Sequence, residues 1–178
     1  MHRTLSARQD RFALSRPVRI SRGVKTAADV VTVTLREGAI AGRGESVPYP
    51  RYGESVASVL AQVAAPRGAV EAGAGRQDLL SLMAPGAARN AIDCALWDLE
   101  AKRAGSSVAA LLGAPKPDRL ATALTVVIDT PEAMARAAAL IASAPLIKVK
   151  VDADDPAAAG RAVRSAAPAA ALIVDPNE

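Results

Sequence analysis

The segment PLIKVKV (Pro145–Val151) is a short apolar run that carries two lysines, Lys148 and Lys150, at alternate positions. Its valine, isoleucine and leucine residues favour a β-strand. Side chains two residues apart on a strand leave from the same face, so the two ammonium groups are predicted to share a face. A water-facing strand would leave them simply solvated, whereas an inward face would bring two charges together at a cost.

The segments on either side of this strand predict an alternation of strands and helices. LATALTVVI (Leu120–Ile128) and ALIVDPNE (Ala171–Glu178) are predicted strands. The helices between them are predicted at Thr130–Ser143, where Thr130 is the N-cap, and at Asp155–Pro168. A β-α-β-α-β order with short links is typical of a parallel sheet.

Three parallel strands with two helices leave one sheet edge without a neighbour, which is costly for strands this apolar. We therefore expect that the chain is a fragment or truncated form, or that something else completes the sheet. An exposed edge also favours aggregation or self-association, so a homo-oligomer is an open expectation.

The preceding part of the chain predicts strands first and helices afterwards. Val30–Leu35 and Ala39–Glu45 are predicted to form a hairpin around a turn at Glu37-Gly38, with an earlier strand near Arg11–Leu14. The stretch RPVRISRGVKT (Arg16–Thr26) contains proline, glycine and charge without a period, and is predicted to be a loop.

Three helices are predicted after the hairpin. They lie near Val56–Val63, at Gln77–Met83 and at Gly86–Gly105, with a connection at Pro66–Gly75. The Gly86–Gly105 helix is the strongest, because one stripe of its surface is apolar and Gly105 follows its end. That stripe consists of Ala88, Ile92, Ala95, Leu96 and Leu99. This part is therefore predicted to be an α+β module.

The bulk composition limits the classes of function. The chain has 178 residues, of which 51% are hydrophobic and 22% charged, as in folded globular proteins. Its net charge of +4 does not predict nucleic-acid binding, because the arginines are scattered and no aromatic ladder accompanies them. No stretch reads as a signal peptide or a membrane span, so we expect a cytoplasmic protein with no membrane partner.

The single cysteine and the single histidine limit the available chemistry. Cys94 excludes an internal disulfide, and its apolar surroundings predict a buried thiol. The only histidine is His2, beside the N-terminus, which argues against histidine catalysis or zinc ligation.

Polar residues follow or end the predicted parallel strands, where functional groups of such folds collect. They are Thr125 on the first strand, Lys148 and Lys150 on the second, and Asp175 with Asn177 on the third. A carboxylate suits Mg²⁺, and a lysine beside another cation can act as a general base. The metal would then stabilise the enolate formed when a proton leaves the carbon next to a carboxylate. The alternatives are solvated lysines and an Asp175 that serves only as a turn residue before Pro176.

Several segments resemble the enolase superfamily in its muconate-lactonizing branch, and most closely its dipeptide epimerases. The resemblance covers essentially the whole chain, and it is carried by segments in the order expected for that branch. These are RISRGVKTAADVVTVTL, GRGESVPYPRYGES, ARNAIDCALWDLEAKRAGSSVAALLG, TVVIDTPEAM, LIKVKVD and LIVDPNE.

The resemblance implies an α+β N-terminal capping domain at residues 1–116. Residues 117–178 would then be the first part, about three βα units, of a TIM (β/α) barrel that stops after its third strand. It also implies Mg²⁺-dependent epimerisation of a dipeptide, of the L-Ala-D-Glu to L-Ala-L-Glu type, by 1,1-proton transfer through an enediolate.

By the same resemblance, Lys150 would be the acid/base, and Lys148 would hold a substrate carboxylate oxygen and tune its neighbour. Asp175 would be a Mg²⁺ ligand supported by Asn177, and Thr125 would contact the substrate. The capping domain reads the distal part of the substrate in this family. Its candidate specificity elements here are the loop at 21–26, with Arg22 and Lys25, and the loop at 48–53. Cationic side chains there would suit the glutamate carboxylate of a dipeptide, although plain surface charge is the alternative.

Three departures or alternatives remain open. The resemblance places the other metal ligands and the opposing lysine beyond Glu178, so the chain alone is expected to be catalytically incomplete. Pro176 stands where the family usually has a small residue, which makes the Asn177 contact the less certain one. The chain could instead belong to another enzyme of the branch, such as a cycloisomerase, o-succinylbenzoate synthase or N-acylamino acid racemase, or be a non-catalytic truncated remnant.

Overall fold

The structure is a computed structural model that describes residues 2–20, 23–115 and 119–176. The chain divides into two compact units. Residues 1–13 and 27–116 form the first, and residues 14–26 and 117–178 form the second. Within the described residues, every helix is too short or too polar to span a lipid bilayer.

Strands precede helices in the first part of the chain, whereas the two alternate in the second part. The first part contains β1 (Arg3–Ile20), β2 (Gly23–Glu37), β3 (Ile40–Ser46), α1 (Val56–Ala64), α2 (Arg67–Glu71), α3 (Arg76–Leu82), α4 (Ala87–Arg103) and α5 (Val108–Leu111). The second part contains β4 (Leu124–Val126), α6 (Pro131–Ala139), β5 (Leu146–Lys150), α7 (Pro156–Ala166) and β6 (Ala171–Asp175).

The predicted hairpin is confirmed, because β2 and β3 pair antiparallel from Val31 opposite Ser46 to Glu37 opposite Ile40. The predicted loop at residues 16–26 is wrong. β1 continues to Ile20 and β2 begins at Gly23, so Lys25 lies within a strand; Ser21 and Arg22 lie outside the described residues. Most described side chains in this part of the two strands are exposed, so no buried face imposes the alternation that identifies a strand.

The predicted apolar stripe of α4 is buried and forms the core with β2, β3 and the shorter helices. Cys94 lies on the same helix but is exposed, so the prediction of a buried thiol is wrong. The reason is helical geometry: the buried positions 91, 92, 95 and 96 share one face, and residue 94 points away from it. The predicted connection at Pro66–Gly75 also contains a short helix, α2.

The second sheet is parallel, as predicted, in the order β4-β5-β6. Ile147 and Val149 of β5 are fully buried in a core that includes Met134 and Ala138 of α6 and Val163 of α7. The side chains that alternate with them, Leu146, Lys148 and Lys150, are only half-buried. The two lysines therefore lie on the face of the sheet opposite the helices.

Candidate active site

Two lysines and one aspartate meet on the face of the parallel sheet opposite the helices. The register of β5 and β6 places Lys150 directly beside Asp175. The Nζ atoms of Lys148 and Lys150 lie 2.8 Å and 3.2 Å from the same oxygen, Oδ2 of Asp175. One carboxylate oxygen thus contacts both ammonium groups, which offsets part of the repulsion between them.

Burial differs within this group of three. The side chain of Lys150 is 17% exposed, that of Asp175 is 25% exposed and that of Lys148 is 38% exposed. Lys150 is therefore the more enclosed lysine, whereas Lys148 keeps access to water and to a small ligand. A cation that can bind an anionic ligand and a more enclosed amine that can exchange a proton stand side by side here.

Thr125 lies one strand away from the lysines. It pairs with Lys148 in the β4–β5 register, and in a parallel sheet such neighbours project from the same face. The structure therefore brings Thr125, Lys148, Lys150 and Asp175 to one face. Asn177 and Arg22 lie outside the described residues, and Lys25 is an exposed residue of β2.

A cavity of about 260 Å³ opens at the carboxyl ends of β4 and β5. Its lining includes Lys150 together with Asp129, Asp152 and Asp155, three carboxylates that sequence analysis did not single out. Each accepts a local backbone N–H: Asp129 from Thr130, Asp152 from Asp154 and Asp155 from Ala158. The sequence signal was present, because all three follow predicted strands, but aspartates at such positions are also ordinary turn and cap residues.

Asp175 suits a hard divalent cation as one oxygen ligand. Among the described residues, however, no group of three or more histidine, cysteine, aspartate or glutamate side chains is placed to hold a metal ion. The described part of the chain therefore contributes a single carboxylate to such a site and does not form a closed metal centre.

The loop at Pro48–Gly53, the other predicted specificity element, lies in the first unit. Pro50–Tyr52 form a single 3₁₀ turn, which ends at Gly53 with a φ of 74°. The rings of Tyr49 and Tyr52 lie 5.7 Å apart, and Tyr52 is 74% exposed. The loop thus combines a defined backbone with an exposed aromatic group.

Similarity to known proteins agrees with this arrangement. Residues 2–113 match the family model described as mandelate racemase/muconate lactonizing enzyme, N-terminal domain. The chain is 47% identical over 178 residues to the L-Ala-D/L-Glu epimerase of Escherichia coli (strain K12), covering 99% of this chain and 56% of that protein. It is 39% identical over 152 residues to an N-acetyl-D-glutamate racemase of Pseudoalteromonas, covering 84% of this chain and 48% of that one.

Solved structures give the same result. An enolase family member from Agrobacterium tumefaciens with homology to dipeptide epimerases, holding sodium and L-Ala-L-Glu, superimposes with a TM-score of 0.91 at 50% identity. A dipeptide epimerase from Enterococcus faecalis, complexed with Mg and L-Leu-L-Tyr, gives a TM-score of 0.87 at 26% identity. These matches cover 99% and 100% of this chain but 54% of each solved chain.

The chain thus spans about half the length of the relatives it matches. Its first part has the capping-domain fold of the enolase superfamily, and its parallel strands correspond to the beginning of a barrel. The chain belongs to the mandelate racemase/muconate lactonizing enzyme family of the enolase superfamily.

Proposed function

We propose that this chain supplies the N-terminal portion of a Mg²⁺-dependent dipeptide epimerase. The reaction is the interconversion of L-Ala-D-Glu and L-Ala-L-Glu by 1,1-proton transfer through an enediolate. The single observation that carries the proposal is the contact of Lys148 and Lys150 with the same oxygen of Asp175. The 47% identity to the E. coli epimerase supports the choice of substrate.

Each residue of the group has a role in this proposal. Lys150, the more enclosed lysine, removes or returns the α-proton on one face of the substrate. Lys148, which is more exposed, binds an oxygen of the carboxylate next to the reacting carbon. Thr125 contacts the substrate from the neighbouring strand. A domain boundary near residue 116 separates these residues from the capping domain, to which we assign residues 1–116.

Asp175 is the proposed oxygen ligand for Mg²⁺, with Asn177 in support. The Mg²⁺ present in the E. faecalis relative favours this assignment. A bound Mg²⁺ would supply positive charge that stabilises the enediolate oxygens. Asp175 alone is too few ligands for firm binding, so further carboxylates must complete the site.

The distal carboxylate of the substrate is proposed to meet the cationic residues near the start of β2. Lys25 is exposed on that strand, and Arg22 precedes it in the sequence. A cation at this place would favour glutamate over an uncharged second residue.

Exchange of the α-proton in D₂O tests the proposal directly. The natural protein in full length should incorporate deuterium into L-Ala-D-Glu and L-Ala-L-Glu, as followed by proton NMR. Lys150→Ala should abolish incorporation from one of the two epimers, because only one face loses its base. Lys102→Ala removes a lysine that pairs with Asp98 on the capping domain and serves as the matched control. Full incorporation from both epimers by Lys150→Ala would refute the role of Lys150.

A racemase of N-acylated amino acids is the second candidate, and the 39% identity to the N-acetyl-D-glutamate racemase favours it specifically. Both substrates contain glutamate and require the same proton transfer. A panel with L-Ala-D-Glu and N-acetyl-D-glutamate separates them by their kcat/KM ratio. A protein that exchanges neither substrate would instead be a non-catalytic member of the family.

A further inference from the structure

The carboxylate of Glu54 joins two segments that are far apart in the sequence. Its Oε2 accepts a hydrogen bond from the backbone N–H of Tyr49 at 3.0 Å. Its Oε1 accepts another from the backbone N–H of Ala87 at 2.7 Å. Glu54 is half-buried, and it is not the N-cap of the helix that follows, because Ser55 fills that position. The side chain therefore serves the loop before it and a helix 33 residues away.

On the loop side, the hydrogen bonds converge on Tyr49. Its carbonyl oxygen accepts from the N–H of Tyr52 at 2.9 Å and from the N–H of Glu54 at 3.4 Å. The N–H of Gly53 donates to the carbonyl of Pro50 at 3.0 Å. With the Tyr49 N–H held by the Glu54 carboxylate, both backbone groups of Tyr49 are bonded, and residues 49–54 close into a ring.

On the helix side, the carboxylate does what a capping side chain ordinarily does. The N-cap of α4 is Gly86, which has no side chain to accept a bond from the first helical N–H groups. Glu54 accepts one of those bonds and places negative charge at the positive end of the helix. Because one side of α4 is buried along its length, its first turn is a fixed point for the loop.

The exposed side chains of the loop are thereby held on a defined backbone. Tyr52 is 74% exposed, and Arg51 beside it is exposed as well. A loop that is already ordered loses less entropy when it contacts a ligand than a mobile loop does. An anchor on this loop therefore acts on affinity for a ligand more than on the chemical step.

We infer that Glu54 is a positioning residue, which pins the Pro48–Gly53 loop to the start of α4 and thereby sets the affinity for the distal part of the substrate. The part of this inference that concerns the substrate rests on the proposed function. The part that concerns the anchor does not, and it can be measured without activity.

Hydrogen exchange of two backbone amides tests the anchor. Glu54→Gln keeps the shape of the side chain but leaves one acceptor oxygen, and Glu54→Ala removes both. In Glu54→Ala the amides of Tyr49 and Ala87 should exchange at least about tenfold faster, and in Glu54→Gln at least one of them should. Unchanged exchange at both amides in Glu54→Gln would overturn the anchor, even if Glu54→Ala fails to fold.

Asp78→Asn is the matched control. Asp78 also accepts a backbone N–H at the start of a helix, from Gly75 at 2.8 Å, but it does not contact the loop. It should lower stability to a similar extent and leave the Tyr49 amide protected.

Kinetics on the natural protein in full length test the link to the substrate. Glu54→Gln should raise KM for L-Ala-D-Glu about tenfold and change kcat little, while Asp78→Asn leaves both unchanged. Equal losses of kcat in both variants, or an unchanged KM in Glu54→Gln, would overturn the positioning role. An unmutated protein inactive on the dipeptide would refute the proposed function and this second part together, and hydrogen exchange would still decide the anchor.

Discussion

A Cβ added to Gly44 would lie only 2.0 Å from the carbonyl oxygen of Ala91, so β3 and α4 meet backbone to backbone at this point. Gly42 is in the same situation, with the Ala95 carbonyl oxygen 2.2 Å from an added Cβ. Both glycines lie on the buried face of β3, against the helix that carries most of the core.

Gly44→Ala should lower the free energy of unfolding by about 3 kcal/mol, because the backbone of α4 must move away. Urea denaturation measures this change. Gly68→Ala is the control, since Gly68 lies in α2 with open space around its Cβ position and should gain about 0.5–1 kcal/mol. Similar stabilities for the two variants would contradict the close packing of β3 on α4.

Asp175→Asn should destabilise the parallel sheet by about 1 kcal/mol, because both lysines lose the charge that they contact. Lys148→Met in the Asp175→Asn background should restore part of that loss by removing one of the two adjacent cations. A double-mutant cycle in urea measures the coupling. Strictly additive effects would show that the pair does not interact in solution.

Asp98 predicts a pH-dependent contribution to stability. Partial burial raises the pKa of Asp98, but the hydrogen bonds from Lys102 and from the Arg43 N–H outweigh it and hold the pKa below its ordinary value. Because the folded-state pKa is the lower one, this contribution is complete above the unfolded value of about 3.9 and is lost as pH falls further.

The comparison of unmutated protein with Asp98→Asn measures this contribution. The unmutated protein should be the more stable at pH 7, and the difference should shrink as pH falls below about 4. A difference that stays constant from pH 7 to pH 2 would contradict the assignment.

Ser46 is the site of a predicted stabilising substitution. Among the described residues, its Oγ is the buried side-chain polar atom that has no hydrogen-bond partner. Ser46→Ala removes this unsatisfied group and should raise the free energy of unfolding by about 1 kcal/mol. The same change at Ser55, whose side chain caps α1, should instead lower it by about 1 kcal/mol. A loss of stability in Ser46→Ala would reveal a partner for the hydroxyl.

Sequence patterns predicted the elements that are governed by local rules. The alternation in β2 and β3 and the Glu37-Gly38 turn predicted the hairpin, because the period of two and the turn chemistry are both local. Thr130 predicted the start of α6, since its side chain accepts the Ala133 N–H. The alternation of Lys148 and Lys150 predicted a shared face for the same reason.

The same patterns failed where burial did not accompany secondary structure. The ends of β1 and β2 are exposed, so they carried no strand period, and residues 16–26 were assigned to a loop. Cys94 stood among apolar neighbours but lies off the buried face of α4. Composition over a short window does not distinguish these cases, because exposure depends on what packs against each face.

By itself the sequence determined the family, the order of strands and helices, and the residue types that meet at the ends of the parallel strands. It did so because periodicity, turns and caps act over a few residues. Only the tertiary structure decided that one oxygen of Asp175 contacts both lysines and that Glu54 joins its loop to α4. It also decided that Gly44 must be glycine. These relationships join residues that are 25 to 47 positions apart, and such distances are set by packing.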